Sequence, residues 1–505
     1  MKILYYLNSS IQKTATGELL DDAQTEINKG NEVAFLICDG ILTNCPANRR
    51  ANKGTCKACL FMQKLNFKLV KGKYQIFKLD NFCTSLDVNW TYRNLDELRS
   101  LEYDGIRVGI PMMSSYIEYT RNLYPSVDTE SRKYFDRQLT EGAKLVVATK
   151  AVINTFKPDK VVLYNGRHLE ARPFMDVCMN KGIAVEVMEL IETSDVFKFY
   201  PVKYYNTLPH SIAANQHVIE SVWDKSNLTE EERKEIGESF YLNRRNKKRA
   251  GDKIYTLQQK EGELPKDWDD TKINITFFNS SEDEYAGLGD EWDNLKLFKD
   301  QITGIKSILG KFRNNKQYHF YLRIHPNLKD VRYKFHTDLY NLPNEFDNIT
   351  VIPAADSVDT YQLMDKSNKI IVFGSTMGIE ASYWNKPVLL IGPSIYYYED
   401  VCYTPQTAEE LYNLLQEDLE SKKNDFVYKY GFRVMHSIDC STNPNMYNYL
   451  DFSGFSLNIL GRAVPGMNYQ KIFGSKKIYL IVVSFIRALL AKLYKDQLTI
   501  PVKDE

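Results

Sequence analysis

Short apolar runs alternate along the chain with longer segments whose apolar positions recur at helical spacing. Near the start, Lys2–Leu7 and Glu32–Cys38 have the pattern of buried strands, and Gly17–Lys29 between them has the pattern of a helix. Strands that alternate with helices favour a mostly parallel sheet wrapped by helices. The pattern therefore predicts an α/β fold that begins with a β-α-β unit.

The same unit recurs further along the chain. Lys160–Tyr164 and Ala184–Met188 are predicted strands on either side of a helix, and Lys272–Phe278 opens a second series of strands and helices. The polar segment Glu261–Asp270 separates the two series. At 505 residues the chain is long enough for two or three domains. We predict a first Rossmann-like domain over 1–265 with a Cys-rich loop and a helical insertion, a second over 270–450, and a C-terminal tail over 451–505.

Charge and composition narrow the class of protein. Lys plus Arg and Asp plus Glu number 65 each, so the net charge is zero, which argues against a dedicated nucleic-acid binder. The first residues, MKILYYLNSS, lack the long apolar region and the small-residue cleavage site of a signal peptide. We therefore expect a cytoplasmic protein that contacts no nucleic acid and whose eight cysteines are mostly reduced.

The C-terminal tail contains a distinct apolar segment. Ile478–Ile486 is mostly apolar, but its nine residues are too few to span a bilayer, which needs about 20. The cations Arg487, Lys492 and Lys495 come soon after it and end the apolar character. Two interpretations remain open: a basic amphipathic helix that lies on the inner face of the cell membrane, and a helix packed across the domain interface.

Four cysteines lie close together in the first domain. Cys56 and Cys59 have the spacing of half a zinc site, and Cys38 and Cys45 precede them. One interpretation is a structural zinc held by these four residues. The other is a reduced, Cys-rich loop with Cys38 buried at a strand end. A redox role is less favoured, because the Cys56–Cys59 pair does not sit at a strand-to-helix turn.

Polar side chains follow the predicted strands of the first domain. Asn8 and Ser9 come after the first strand, where they either face a substrate or cap the next helix. More polar residues follow Lys160–Tyr164 and Ala184–Met188. Because ligands bind at the carboxyl ends of strands in open α/β sheets, we predict a binding site at this edge. Its candidates are Asn8, Ser9, Asn165, Arg167, His168, Glu170 and Glu189.

In the second domain, Ile370–Tyr398 carries the turn best suited to a phosphate. A buried strand ends at Phe373, and the small residues of Gly374–Gly378 lead into a helix. Small residues let a phosphate approach the backbone, and the start of a helix favours negative charge. Glu380, in the first turn of the helix, either accepts from ribose hydroxyls or complements the helix dipole.

A histidine follows another strand of the second domain. His325 and Pro326 come directly after Tyr318–Ile324. As an imidazolium, His325 would stabilise negative charge that develops on a phosphate or a leaving oxygen, and the alternative is a hydrogen-bonded structural histidine. The other polar candidates at this edge are Ser280, Ser281, Arg323, Asp356, Ser375 and Thr376.

Several catalytic signatures are missing from the chain. It has no GxxxxGK[ST], no GxGxxG after the first strand, no GxSxG and no HExxH, which disfavours ATPases, dinucleotide oxidoreductases and α/β-hydrolases. With no Asp-x-Asp motif in a suitable loop, we expect no catalytic metal. The basic run Asn243–Arg249 is typical of a solvated helix face, with a phosphate or membrane contact as the alternative.

Two motifs together resemble a known group of enzymes. Arg323–Pro326 followed by Phe373–Ala381 resembles the nucleotide-binding half of bacterial capsule and surface-polysaccharide glycosyltransferases of the GT-B fold. The His-Pro pair and the serine turn are similar to those of bacterial sialyltransferases, 3-deoxy-octulosonate (Kdo) transferases and CDP-glycerol glycerophosphotransferases. The resemblance covers about residues 270–400. It implies two Rossmann-like domains that face a cleft (GT-B); the helical insertions and the C-terminal amphipathic helix are expected from the residue pattern.

The resemblance also implies roles for the candidate residues. In those families the histidine and the serine turn contact the donor phosphate, which implies that role for His325, Ser375 and Thr376, and a ribose contact for Glu380. The acidic motif that supplies the base in many sialyltransferases is matched only in part, by Asp39–Gly40. The base therefore stays open among His168, Glu170 and Glu189. We expect further donor contacts from Ser280, Ser281, Arg323, Asp356 and Gly378, and acceptor contacts from Asn8, Ser9, Asn165 and Arg167.

The expected function is transfer of a sugar from a nucleotide-sugar donor to a surface polysaccharide or a lipid-linked acceptor. Two alternatives use the same motifs. One is a CDP-polyol phosphotransferase, which would form a phosphodiester instead of a glycosidic bond. The other is a scaffold of polysaccharide assembly whose site no longer binds nucleotide.

Overall fold

The computed structural model describes residues 1–10, 13–42, 45, 48–82, 85–192, 199–251, 254–439, 456–459, 462–468, 489, 493, 500 and 501. These residues form two α/β units, each built on its own sheet. Two short antiparallel pairs accompany them, Glu102–Tyr103 with Ile106–Arg107 and Ser456–Ile459 with Arg462–Asn468. The predicted fold class, α/β with two Rossmann-like units, is confirmed.

The first unit has a six-stranded sheet. Its strands are β1 (Lys2–Leu7), β2 (Glu32–Ile37), β3 (Gln75–Lys78), β4 (Lys160–Tyr164), β5 (Ala184–Glu192) and β6 (Phe199–Tyr205). They lie in the order β3-β2-β1-β4-β5-β6, and neighbours pair in parallel except for β5 and β6. The strand order reverses between β1 and β4, which places the residues after these two strands side by side.

The second unit has a five-stranded, fully parallel sheet. Its strands are β7 (Ile273–Phe278), β8 (Tyr318–Arg323), β9 (Ile349–Ile352), β10 (Lys369–Val372) and β11 (Val388–Leu390). They lie in the order β9-β8-β7-β10-β11. Phe278, Arg323 and Val372 stand opposite one another in register. The loops that follow β7, β8 and β10 therefore meet at one edge.

Helices cover both faces of the two sheets, and their buried sides supply the cores. They are α1 (Lys13–Asn28), α2 (Lys53–Phe67), α3 (Leu95–Arg99), α4 (Gly109–Thr120), α5 (Thr129–Phe156), α6 (Arg172–Asn180), α7 (Ile212–Asp224), α8 (Glu230–Arg245), α9 (Asp290–Asp293), α10 (Gln301–Phe312), α11 (Lys334–Tyr340), α12 (Leu342–Glu345), α13 (Thr360–Lys366), α14 (Met377–Tyr383), α15 (Ala408–Gln416) and α16 (Phe426–Asp439). The near-continuous burial of strands such as β1 is what a sheet covered on both faces requires.

Helices α7 and α8 pack on the second unit, although the chain places them before Glu261–Asp270. Helix α8 crosses α16 at Gly237 and Gly431, where an added Cβ on Gly431 would lie 2.2 Å from the carbonyl oxygen of Gly237. The Tyr241 hydroxyl donates to the carbonyl of Val427 at 2.6 Å. By its packing, the end of the segment that the sequence assigned to domain 1–265 belongs to the core of the second unit.

The carboxyl edges of the two sheets face each other. Arg167, which follows β4, donates to the carbonyl oxygen of Glu284 at 2.8 Å, and Glu284 lies in the segment after β7. The structure therefore has the GT-B arrangement that the resemblance implies. No helix among the described residues is long and apolar enough to cross a membrane. The apolar run Ile478–Ile486 lies outside the described residues.

Candidate functional site

A cleft of about 770 Å³, open to solvent, lies at the carboxyl edge of the second sheet. Phe278 and Asn279 follow β7 into it, and Arg323, His325 and Pro326 enter from the end of β8. The turn after β10 contributes Ser375, Thr376 and Met377. The structure thus brings together four of the predicted donor-site residues, which are Arg323, His325, Ser375 and Thr376. We call this site the donor cleft, after the ligand that the sequence predicts for it.

His325 is held in one orientation by two backbone hydrogen bonds. The backbone N–H of His325 donates to Oδ1 of Asn279 at 2.7 Å. The ring nitrogen Nδ1 of His325 accepts from the backbone N–H of Asn327 at 3.2 Å. The Tyr255 ring packs edge-on against the imidazole, with centroids 5.4 Å apart. Because Nδ1 is an acceptor, the neutral ring carries its proton on Nε2. His325 therefore presents an N–H donor in the donor cleft.

Arg323 is a tethered cation at the back of the donor cleft. Its guanidinium donates to the carbonyl oxygens of Pro353 at 2.9 Å and Asp356 at 3.1 Å. Burial lowers the pKa of Arg323 to about 10, so the charge is retained at neutral pH. The Asp356 carboxylate accepts from the N–H of Val358 at 2.9 Å and does not line the cleft. The predicted donor contact of Asp356 is therefore corrected to a carbonyl that anchors Arg323.

The Ser375–Thr376 turn is fixed by close packing behind it. Gly374 has φ +108°, and a Cβ there would lie 2.2 Å from the carbonyl oxygen of Pro393. The Tyr396 hydroxyl donates to the carbonyl of Ser375. A Cβ on Gly378 would lie 2.3 Å from that same hydroxyl, and Gly378 does not line the cleft. The predicted donor contact of Gly378 is thus corrected: a glycine is needed there to make room for Tyr396.

Glu380 points into the protein and away from the donor cleft. Its side chain is 0% exposed, and it accepts from Nε of Arg244 at 3.0 Å and from the Tyr361 hydroxyl at 2.6 Å. The predicted ribose contact is corrected, because both carboxylate oxygens are taken by protein partners. Glu380 instead anchors Arg244, which does line the cleft.

The sequence alone favours a solvated helix face for the basic run Asn243–Arg249 and offers a phosphate contact only as the alternative. Arg244 and Lys248 line the donor cleft, so this end of α8 is not merely a solvated face. Lys247 donates to the carbonyl of Gln259 at 2.8 Å and so holds the following segment against the cleft. A usable signal existed, because this run immediately precedes a domain predicted to bind phosphate.

The described lining of the donor cleft is strongly positive. It carries Arg244, Lys248 and Arg323 beside His325, and it contains no aspartate or glutamate. Charges of one sign in a concave site attract and orient ligands of the other sign. Tyr255 and Phe278 add aromatic surface to the same cleft. The arrangement suits a ligand with an anionic group and a flat ring.

Ser280 and Ser281 have partners outside the donor cleft. The Gln301 side chain accepts from the N–H of Ser280 at 2.9 Å and donates to its carbonyl at 3.0 Å. The hydroxyl of Ser281 accepts from Nη2 of Arg121 at 2.9 Å. Neither serine lines the donor cleft; the Ser281 hydroxyl is already engaged, which corrects its predicted donor contact, whereas the donor contact of Ser280 stays a prediction. Ser280 supports the loop after β7, and Ser281 belongs to the contact between the units.

Arg167 connects the two units. Its buried guanidinium donates to Ser114 Oγ at 2.8 Å and to the carbonyl oxygens of Glu284 at 2.8 Å and Ala286 at 3.3 Å. Burial lowers the pKa of Arg167 from its usual value. The predicted acceptor contact of Arg167 is corrected, because its guanidinium donates its hydrogen bonds to groups at the interface between the units.

The other polar residues of the first sheet edge differ in their availability. The backbone carbonyl of Ser9, a buried residue, accepts from the Thr16 hydroxyl at 2.8 Å. Asn165 donates to Oε2 of Glu189 at 2.6 Å, and Tyr164 donates to Oε1 of Glu189 at 2.8 Å. Burial raises the pKa of Glu189, whose two oxygens both have partners. Asn165 and Glu189 therefore brace each other.

Glu170 and His168 have opposite acid–base properties. Burial, helped by the charge of Arg167, lowers the pKa of His168 to about 3. Burial raises the pKa of Glu170 to about 8. Asn8 Nδ2 donates to Oε1 of Glu170 at 3.4 Å, so the residues after β1 and β4 meet as the topology requires. Of the three candidate bases, Glu170 has the pKa best suited to accepting a proton near neutral pH.

The described cysteines of the first unit form no disulfide. Burial raises the pKa of Cys38 to about 12. Cys59 Sγ accepts from the N–H of Ser10 at 3.2 Å, and Cys56 Sγ accepts from Asn48 at 3.1 Å. Within the described part of the chain, no group of three or more His, Cys, Asp or Glu side chains could hold a metal ion. The structural zinc at Cys38, Cys45, Cys56 and Cys59 stays a prediction.

A family comparison bears on this site. Residues 296–425 match the model of the family described as capsule polysaccharide biosynthesis protein. The matched segment contains His325, Ser375, Thr376 and Glu380, whereas Arg244 lies before it. The match confirms the resemblance to capsule polysaccharide enzymes over this part of the second unit. No curated protein matches the chain.

Solved structures show more distant likeness. One is the β-Kdo 2,4-transferase of Thermosulfurimonas dismutans KpsC, with 13% identity and a TM-score of 0.33, covering 55% of this chain and 79% of that chain. Another is the β-Kdo 2,7-transferase of the same KpsC, with 12% identity and a TM-score of 0.31, covering 57% of this chain and 79% of that chain. A third is the UDP-GlcNAc 2-epimerase of Neisseria meningitidis bound to UDP-GlcNAc, with 12% identity and a TM-score of 0.24, covering 86% of this chain and 94% of that chain.

Proposed function

We propose that the chain is a glycosyltransferase of capsule polysaccharide assembly, which moves a sugar from a nucleotide-sugar donor to a polysaccharide or glycolipid acceptor. The observation that carries the proposal is the donor cleft, with its three cations, a histidine and no carboxylate among the described lining residues. Such a site suits a nucleotide phosphate. The family match over residues 296–425 supports the class of reaction.

The donor phosphate is bound by the cations and the turn of the donor cleft. Arg244 and Lys248 neutralise its charge, and the hydroxyls of Ser375 and Thr376 donate to its oxygens. Because Glu380 anchors Arg244 from behind, the guanidinium is already in place before the donor arrives. Preorganised donors of this kind stabilise developing charge without further rearrangement. The nucleotide base lies against the aromatic surface of Tyr255 and Phe278.

The chemical step exchanges one bond to the anomeric carbon for another. The acceptor hydroxyl oxygen attacks that carbon, and the bond to the phosphate oxygen breaks with its electron pair on the phosphate. His325 donates from Nε2 to this leaving oxygen. Glu170, in its ionised form, takes the proton of the acceptor hydroxyl. Asn8 stands beside Glu170 and contacts the acceptor.

Thermal-shift measurements with CMP, UDP, GDP and CDP test the donor site. A ligand that binds only the native state must raise its stability, by about 2.7 kcal/mol at one hundred times its Kd. We expect one of the four nucleotides to stabilise the protein, and less so after Arg244→Ala. Stabilisation by none of them would contradict the proposal and favour a scaffold.

Substitution of His325 tests the reaction itself. We expect His325→Ala to abolish transfer while the circular dichroism spectrum stays unchanged. His217→Ala, at an exposed position on α7, is the matched control. Full activity of His325→Ala would refute the assignment. Product analysis separates the two reactions, since a phosphodiester instead of a glycosidic bond would identify a CDP-polyol phosphotransferase.

A further inference from the structure

A second cavity, of about 950 Å³ and open to solvent, lies between the two units. Residues 116–131 of the first unit line one side, and residues 299–302 and 333–338 of the second unit line the other. Pro501 closes one end, where its carbonyl accepts from the Tyr116 hydroxyl at 2.7 Å. We call this the interdomain cavity. Junctions between domains are common positions for binding sites.

One wall of the interdomain cavity is aromatic. Tyr124 packs edge-on against Phe335 with centroids 5.8 Å apart, and Phe335 stacks on Tyr333 at 6.0 Å. The Tyr333 hydroxyl donates across the interface to the carbonyl of Thr120 at 3.0 Å. Tyr124 nevertheless remains 42% exposed, which is unusual for a ring held in such a cluster. The wall therefore offers an open aromatic face supported from behind by neighbouring rings.

The polar lining of the interdomain cavity is balanced in charge. Lys299 and Lys334 are matched by Asp300 and Asp338, and Lys334 pairs with Asp338 at 3.0 Å. The donor cleft is the opposite case, because its described lining holds cations and no carboxylate. A balanced lining does not select a polyanion. Carboxylates that accept and ammonium groups that donate, next to an aromatic face, suit a ligand with apolar C–H faces and many hydroxyls.

A short chain of contacts connects the interdomain cavity to the donor cleft. Asp300 and Ile302 line the cavity on either side of Gln301, whose amide binds both backbone groups of Ser280. The preceding residue, Asn279, lines the donor cleft and accepts from the N–H of His325 at 2.7 Å. A ligand in the cavity therefore lies one loop away from the reacting groups.

We propose that the interdomain cavity binds an uncharged saccharide segment of the acceptor, with a pyranose ring on the face of Tyr124. The identity of that saccharide as acceptor rests on the proposed function, whereas the binding site itself does not. Asp300 and Asp338 accept from its hydroxyls, and Lys299 donates to them.

Saturation-transfer NMR on the full chain tests the site, with maltotetraose, cellotetraose and chitotetraose as probes. We expect transfer to the ring C–H protons of at least one probe. Tyr124→Ala should lower the affinity for that probe at least about ten-fold, as removal of a central aromatic contact does. Tyr124→Trp should restore the affinity. Tyr398→Ala removes a ring that is 63% exposed and lines neither cavity, and should change nothing.

The outcomes separate this inference from the proposed function. No transfer to any probe, or equal transfer in Tyr124→Ala, would overturn the saccharide site even if nucleotides stabilise the protein. Transfer that depends on Tyr124, in a protein that no nucleotide stabilises, would uphold the site and refute the glycosyltransferase.

Discussion

Nη1 of Arg121 lies 2.7 Å from the carbonyl oxygen of Asn327, the residue whose N–H donates to His325. Arg121 belongs to the first unit and ends α4 in the left-handed conformation, with φ +60°. Its guanidinium also pairs with the Asp283 carboxylate, at 2.8 and 3.1 Å. The orientation of the imidazole in the second unit is thus tied to a cation of the first.

We expect Arg121→Ala to lower kcat by about a hundred-fold, the scale seen when a catalytic group is displaced by about 1 Å. Stabilisation by the donor nucleotide should persist, because Arg121 does not line the donor cleft. Steady-state kinetics and thermal shift measure the two effects. Arg107→Ala is the control, since it removes another ion pair between the units, with Asp290, that does not reach His325. Equal losses in both variants would show that Arg121 only holds the units together.

The buried pair of Glu380 and Arg244 predicts a coupled loss of stability and donor binding. Glu380→Gln removes the charge that compensates Arg244 at a fully buried position, so we expect a loss of about 1–3 kcal/mol in the free energy of unfolding. Donor affinity should fall as well, because the guanidinium is no longer held. Chemical denaturation and nucleotide titration measure these effects. Glu409→Gln, on the exposed first turn of α15, should change neither the free energy of unfolding nor the nucleotide affinity. Unchanged nucleotide affinity in Glu380→Gln would contradict the anchoring role.

The raised pKa of Glu170 predicts the pH dependence of transfer. With a pKa of about 8 the carboxyl is mostly protonated at neutral pH, and only its ionised form accepts a proton. The rate should therefore rise about ten-fold per pH unit below 8 and level off above it. Measurement of kcat as a function of pH tests this rise of the rate below pH 8. Glu170→Gln should abolish transfer at every pH, and an unaltered profile in that variant would assign the base to another residue.

The lining of the donor cleft predicts that transfer needs no divalent cation. Hard cations such as Mg²⁺ are held by carboxylates, and the described lining offers none. Arg244, Lys248 and Arg323 carry the compensating charge instead. We expect EDTA to change the rate less than two-fold. Loss of activity on chelation, with recovery on addition of Mg²⁺ or Mn²⁺, would disprove this prediction.

The crossing of α8 and α16 predicts a large packing effect. A Cβ on Gly237 would lie 2.4 Å from the carbonyl oxygen of Tyr428, so Gly237→Ala should destabilise the protein by about 1–3 kcal/mol. Gly310→Ala is the matched control, because nothing lies within 4 Å of its added Cβ and alanine favours the helix. The two midpoints of denaturation should move in opposite directions. Equal shifts of the denaturation midpoint in the two variants would mean that α8 and α16 can move apart at Gly237 without loss of stability.

Much of the donor cleft could be predicted because parallel strands bring distant loops to one edge. His325 and the Ser375–Thr376 turn follow different strands, yet the register of β7, β8 and β10 places them together. Arg244 could not be placed in this way. It lies 136 residues before Glu380, and the sequence contains no periodicity that joins the two.

The alternation of strands and helices, the two α/β units, and the positions of a small-residue turn and a histidine at strand ends of the second unit all follow from the sequence alone. Hydrophobic periodicity and small-residue turns are local properties, so they can be read without the fold. Which polar side chains stay available to a ligand depends on how the chain packs in three dimensions. Arg167, Ser281 and Glu380 have the polar side chains of binding residues, but partners far along the chain occupy their hydrogen-bonding groups. A buried polar group must find such partners, and packing alone selects them.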